Sequence, residues 1–139
     1  MKKLIRLLVL AAGTGSLLIS TPARAQIIPP AKKVARVEIS QGPEVESAKE
    51  HEVIIRWTSN NPGGSDEHYG VVHYGKTPSN LSETAKSHIR LNQGHSYTVF
   101  RVRVDGLQPH VTYYYKVDSM DARGTSDGVD SPVNTFTTP

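Results

Sequence analysis

Leu107-Gln108-Pro109-His110-Val111-Thr112-Tyr113-Tyr114-Tyr115-Lys116-Val117 is the stretch whose pattern decides the fold. Beyond Pro109 the residues fall into two files, with Tyr113, Tyr115 and Val117 on one and Thr112, Tyr114 and Lys116 on the other. A strand points successive side chains to opposite faces, so this alternation predicts one buried and one wet face, as in antiparallel sheets. The same period recurs outward along the chain. Val37 and Ile39 alternate with Arg36 and Glu38, and Val53, Ile55 and Trp57 with Glu52, Ile54 and Arg56. Val72 and Tyr74 share a face; Phe100, Val102 and Val104 alternate with Val99, Arg101 and Arg103; a last strand is expected over 133–137 around Phe136. Turn residues separate these runs at Gln41-Gly42-Pro43, Asn61-Pro62-Gly63-Gly64, Gly75-Lys76-Thr77-Pro78, Asn92-Gln93-Gly94 and Asp105-Gly106. No window carries a helical stripe, and 81–89 reads as a short turn or an irregular strand. The expectation is an all-β fold, a two-layer antiparallel sandwich of about seven strands.

The first residues are read separately. Lys2, Lys3 and Arg6 supply a positive start, the apolar run extends from Leu4 to Ile19, and Ala23-Arg24-Ala25 offers small residues at a cleavage site. Residues 1–25 are thus expected to be a secretory signal, leaving a lead-in over 26–32 with Pro29-Pro30 and a sandwich over 33–139. The apolar run is interrupted by Gly13, Thr14, Gly15 and Ser16, too short for a spanning helix. Four of the 16 Lys and Arg lie in the signal and none of the 13 Asp and Glu does, which leaves 12 basic against 13 acidic residues. A mature chain near neutrality speaks against nucleic acid or an anionic membrane as partner, and the expected location is secreted or periplasmic. With no cysteine there is no disulfide, thiol nucleophile or thiolate metal site.

The opening stretch resembles the most diagnostic segment of fibronectin type III domains, which share the immunoglobulin-like sandwich. That resemblance implies a tyrosine corner, with the Tyr113 ring in the core and its hydroxyl reaching back to the main chain near Leu107. It also places Trp57, Tyr74, Leu107, Pro109, Tyr115 and Phe136 in the structural core. Within this group the chain is most similar to the N-terminal domain of purple acid phosphatases, through Ile55-Arg56-Trp57-Thr58, Val72-His73-Tyr74-Gly75, the Leu107 to Tyr115 corner and Phe136-Thr137-Thr138-Pro139. In those enzymes a dimetal catalytic domain follows and supplies the metal ligands. No Gly-Asp-x-x-Tyr, Gly-Asn-His or Gly-His-x-His occurs in this sequence, so no catalytic or metal-binding residue is carried over and no cofactor is expected.

Other candidate chemistry is weak. His51, His68, His73, His88, His95 and His110 show no ligand spacing, and acidic neighbours such as those in Asp66-Glu67-His68 do not make up a ligand set. A Ser-His-Asp set lacks a nucleophile elbow, Pro62-Gly63-Gly64-Ser65 lacks a P-loop lysine, and Arg123-Gly124-Thr125 lacks the acid of an integrin-binding loop. Asn80-Leu81-Ser82 matches a glycosylation acceptor. Alternation puts Val71, His73, Tyr114 and Lys116 outward on neighbouring strands, a candidate binding face. Loops 59–67 and 119–131 are expected together at one end. Arg56, Arg101 and Arg103 form a stripe on the other sheet, expected to pair with Glu38 or Glu52. The function expected is a secreted, non-catalytic module binding a protein or polysaccharide. Its rival is a truncated or accessory domain of a phosphatase-like metallophosphoesterase, with a separate phosphatase catalytic chain as partner.

Overall fold

The alternation at Tyr113 becomes a strand in the computed structural model, which describes residues 37–62, 65–92 and 94–139. The expected leader and lead-in, 1–32, lie outside the described residues. Seven strands follow in order: β1 (Ile39–Lys49), β2 (Glu52–Asn60), β3 (Glu67–Gly75), β4 (Glu83–Arg90), β5 (Tyr97–Asp105), β6 (Thr112–Asp121) and β7 (Asn134–Thr137). They form two antiparallel sheets, β1-β2-β5 and β4-β3-β6-β7, facing each other as a sandwich.

Between the sheets lie Val53, Ile55 and Trp57 of β2, Phe100, Val102 and Val104 of β5, and Val72, Tyr113, Tyr115, Val117 and Phe136 of the opposite layer. The Trp57 ring stacks on Phe100 at 5.0 Å. Gly70 makes room for it, since a Cβ there would stand 3.0 Å from Trp57 Cη2 and 2.9 Å from Val102 Cγ2. Tyr113 stacks on Phe136 at 5.4 Å, and its hydroxyl accepts from the Gln108 N–H at 3.0 Å, which is the tyrosine corner. Leu107 is buried within this corner and Tyr74 is half-buried beside it. Pro109, expected in the core, is exposed. It shapes the turn that ends at His110, whose φ is 58°, rather than filling the interior.

Three further expectations are corrected. The 81–89 segment is the regular strand β4, hydrogen-bonded to β3 from Glu67↔Arg90 to Tyr74↔Glu83. Gln41-Gly42-Pro43 is not a turn but an irregular part of β1, whose register shifts between Ile39 and Gln41 and again before Glu44. Gly42 sits at φ 79°, where a Cβ would lie 2.9 Å from the Arg56 carbonyl oxygen; an edge strand tolerates such a bulge and its proline. The last strand begins at Asn134, with Val133 exposed just before it.

Candidate functional site

The residues of the expected binding face lie together on the outside of β3 and β6. His73 stands directly opposite Lys116 in the ladder, and Tyr114 pairs with Gly75 one row on. All three side chains are half-buried. Pro78, Ser79 and Leu81 from the β3–β4 connection, with Val133, border a shallow depression of about 420 Å³ against His73 and Lys116. Lys116 is paired with Asp130 at 3.2 Å, so the cation is held at the rim. Val71 corrects the reading: it points outward but is fully buried, between Lys86 of β4 and Asp118 of β6, and offers nothing to a partner.

Asp118 sits beside this face and accepts from the Ser126 hydroxyl at 3.0 Å and the Ser119 N–H at 2.7 Å. Burial raises its carboxyl above the ordinary range, against these hydrogen bonds and the nearby His73. The folded domain therefore holds that proton more tightly than the unfolded chain, and stability falls as pH rises from the ordinary aspartate value through the raised one. Asp118→Asn should flatten this slope and stabilise the domain at neutral pH. Urea unfolding at two pH values on either side of the window checks it.

The loops expected together do meet, at the opposite end from the tyrosine corner. His68 is fully buried; its Nδ1 lies 2.8 Å from Asp127 Oδ2, and its Nε2 donates to the Ser65 carbonyl at 2.8 Å. The buried Ser119 hydroxyl donates to the same Asp127 oxygen at 2.8 Å. These are the residue types of a hydrolytic triad in the wrong arrangement. In a triad the second imidazole nitrogen faces the nucleophile; here it faces a carbonyl, and Ser119 is inaccessible. The cluster clamps two loops. Asp121 does the same locally, accepting from the Arg123 and Thr125 N–H groups at 2.9 and 3.0 Å, hydrogen bonds that lower its carboxyl, with Arg123 Nη2 at 2.9 Å.

The arginine stripe is neutralised, three of its four ion pairs crossing between strands. Arg56 pairs with Glu44 at 2.9 Å, Arg101 with Glu46 at 2.8 Å, and Arg103 with Glu52 at 2.5 Å and Asp105 at 2.8 Å. Glu52 is thus a partner as expected, whereas the Glu38 main chain bonds Asn60 Oδ1 and Glu44 and Glu46 supply the other carboxylates. Among the described residues no group of three His, Asp or Glu side chains could hold a metal ion. At the tyrosine corner a depression of about 430 Å³ is lined by Tyr74, Lys76, Asn80, Glu83 and Gln108, with Lys76 Nζ 2.5 Å from Gln108 Oε1. Burial and the neighbouring Glu83 raise the Tyr74 hydroxyl.

This architecture is a fibronectin III-like β-sandwich. Residues 41–138 match the family described as the purple acid phosphatase N-terminal domain, and the chain belongs to that family. Among solved structures it is similar to the sensor domain of the anti-sigma factor RsgI4 in Pseudobacteroides cellulosolvens. One form is 23% identical, with a TM-score of 0.51 over 76% of this chain and 97% of that one. A longer form is 20% identical, with a TM-score of 0.50 over 73% and 88%. The third fibronectin III domain of the human KIAA0343 protein is 15% identical, with a TM-score of 0.36 over 92% and 94%. No curated protein matches the sequence.

Proposed function

We propose that the chain is an exported, non-catalytic module that binds a protein or polysaccharide partner through the outer face of β3 and β6. The observation that carries this reading is the direct pairing of His73 with Lys116, one row from Tyr114, around a depression rimmed by Leu81 and Val133. An aromatic ring with a polar tip is enriched at recognition hot spots, and the neighbouring cation and depression add charge and shape to it. Tyr114→Ala and Lys116→Ala should each weaken binding of the mature chain to the host's exported proteins or wall polysaccharide by about tenfold, with unfolding unchanged. Equal binding by both variants removes the face.

Family membership favours one alternative, an accessory domain serving a phosphatase-like metallophosphoesterase on a separate chain. The purified mature chain, incubated with iron, zinc or manganese and a chromogenic phosphomonoester, should give no turnover alone. Metal-dependent turnover by the chain itself overturns the non-catalytic reading.

A further inference from the structure

Tyr97, at the start of β5, is 48% exposed, the most exposed large aromatic or aliphatic side chain among the described residues. It stands on the outer face of the other sheet, in register with Asn60. A cleft opens on each side of its ring. One, of about 390 Å³, is lined by Ser40, Gln41, Arg56, Thr58 and Val99. The other, of about 230 Å³, is lined by Arg90, Asn92 and His95, with Ile89 and Val99 below. The His95 ring lies 5.3 Å from that of Tyr97.

Two independent observations mark this as a built site. Thr58, only 6% exposed, lines the first cleft, and its Oγ1 is buried with no hydrogen-bond partner among the described residues. A buried hydroxyl left unpaired is costly, so a ligand group that reached it from the cleft would be favoured. The second is the fixing of the platform. Buried Asn61 accepts from the Thr98 hydroxyl at 2.7 Å, donates its side-chain amide to the His95 carbonyl, and bonds the Ser96 carbonyl through its own N–H at 3.3 Å. The segment carrying Tyr97 is thereby held in place before any ligand arrives, which lowers the cost of binding.

We infer that Tyr97 is the stacking platform of a saccharide-binding site, taking an oligosaccharide chain that runs from β1 and β2 across Tyr97 of β5 to the end of β4. A pyranose presents an apolar face of C–H groups and a rim of hydroxyls. The exposed ring takes the face, and the planar amides, imidazole and guanidinium of Gln41, Asn92, His95 and Arg90 are spaced around it for the rim. Protein contact surfaces are organised instead around a desolvated apolar centre; here a lone ring rises between a cleft of mixed polarity and one in which Arg90, Asn92 and His95 stand beside apolar Ile89 and Val99. Clefts on both sides require a chain with one unit on the ring and neighbours to either side. The site is separate from the β3–β6 face and does not depend on it.

Affinity electrophoresis of the mature chain through gels containing carboxymethyl cellulose, xylan or polygalacturonate tests the inference, with oligosaccharides of the retarding polymer titrated calorimetrically. At least one polymer should retard the chain, and affinity should drop when a hexasaccharide is shortened to a disaccharide. Tyr97→Ala should weaken binding by at least about tenfold, Tyr97→Phe should retain most of it, and Thr58→Val should weaken it more modestly. Tyr114→Ala should leave it unchanged, so failure of the β3–β6 reading and failure of this one are told apart. Because Tyr97 is exposed, Tyr97→Ala should keep the parent Tm. Lack of retardation by every polymer, or wild-type retardation of a folded Tyr97→Ala, overturns the inference.

Discussion

Trp57→Ala is expected to remove about 3–5 kcal/mol of folding stability, a large part of the roughly 5–15 kcal/mol available to a domain of this size. The indole is fully buried, lies nearly parallel to Phe100 with an interplanar angle of 16°, and occupies the slot left by Gly70. Truncation to Cβ leaves a void between two β layers that the hydrogen-bonded ladders hold apart, so collapse is limited and the cavity persists. Trp57→Phe should lose less than half as much. It retains a ring against Phe100 and removes the indole Nε1, which is buried without a partner among the described residues and so opposes folding. Gly70→Val approaches the same contact from the opposite sheet. Its side chain would intrude on Trp57, Phe100 and Val102, and overpacking should destabilise in the same direction by about 1–3 kcal/mol. Urea unfolding followed by circular dichroism measures all three. A loss below about 1 kcal/mol in Trp57→Ala would mean that the ring does not fill the interlayer space.

The parts of this molecule that the sequence made legible are those in which one local period coincides with one buried face. Trp57 with Ile55 and Val53, and Tyr113 with Tyr115 and Val117, alternate against polar neighbours, and the core is built from these files. The Tyr113 corner was likewise readable because Leu107, Pro109 and Tyr113 are close in the chain. Where packing is one-sided the pattern fades. β4 alternates only between half-buried and exposed residues, since it is an edge strand, and Ala85, Ser87 and Ile89 are a faint apolar file. Pro43 reads as punctuation although the strand passes through it as a bulge. Of the candidate face, the register of His73, Tyr114 and Lys116 followed from alternation, but the burial of Val71 did not, because parity fixes a direction and not what surrounds the side chain. Tyr97 carried no local signal beyond being aromatic; its clefts are made by β1, β2, the end of β4 and the segment after it.

The pairing of His68 with Asp127, 59 residues apart, is the feature least accessible to a reading along the chain, and it yields the second large prediction. Asp127→Ala is expected to cost about 2–6 kcal/mol, because it leaves the buried His68 imidazole and the buried Ser119 hydroxyl without their shared partner, at about 1–3 kcal/mol for each unsatisfied group. His68 is fully buried and the Asp127 side chain is 8% exposed, so the imidazole left behind has little access to water, and Ser119 Oγ loses its acceptor as well. His68→Ala should cost less, because the remaining carboxylate still accepts from Ser119 and lies nearer the surface. The two changes should be non-additive by about 0.5–3 kcal/mol in a double-mutant cycle, since each removes the same contact. A local readout separates the clamp from general core loss. The Asp127 N–H bonds the Ser119 carbonyl at 2.8 Å, the Ala122 N–H bonds the Glu67 carbonyl at 3.1 Å, and the Val37 N–H bonds the Asp127 carbonyl at 3.4 Å. Hydrogen exchange at these three amides should accelerate in Asp127→Ala by more than global destabilisation accounts for, while amides of β2 and β5 follow the global change. Uniform acceleration across both sheets, or additive single and double variants, would show that His68, Ser119 and Asp127 fill space at this end of the sandwich without tying its loops together.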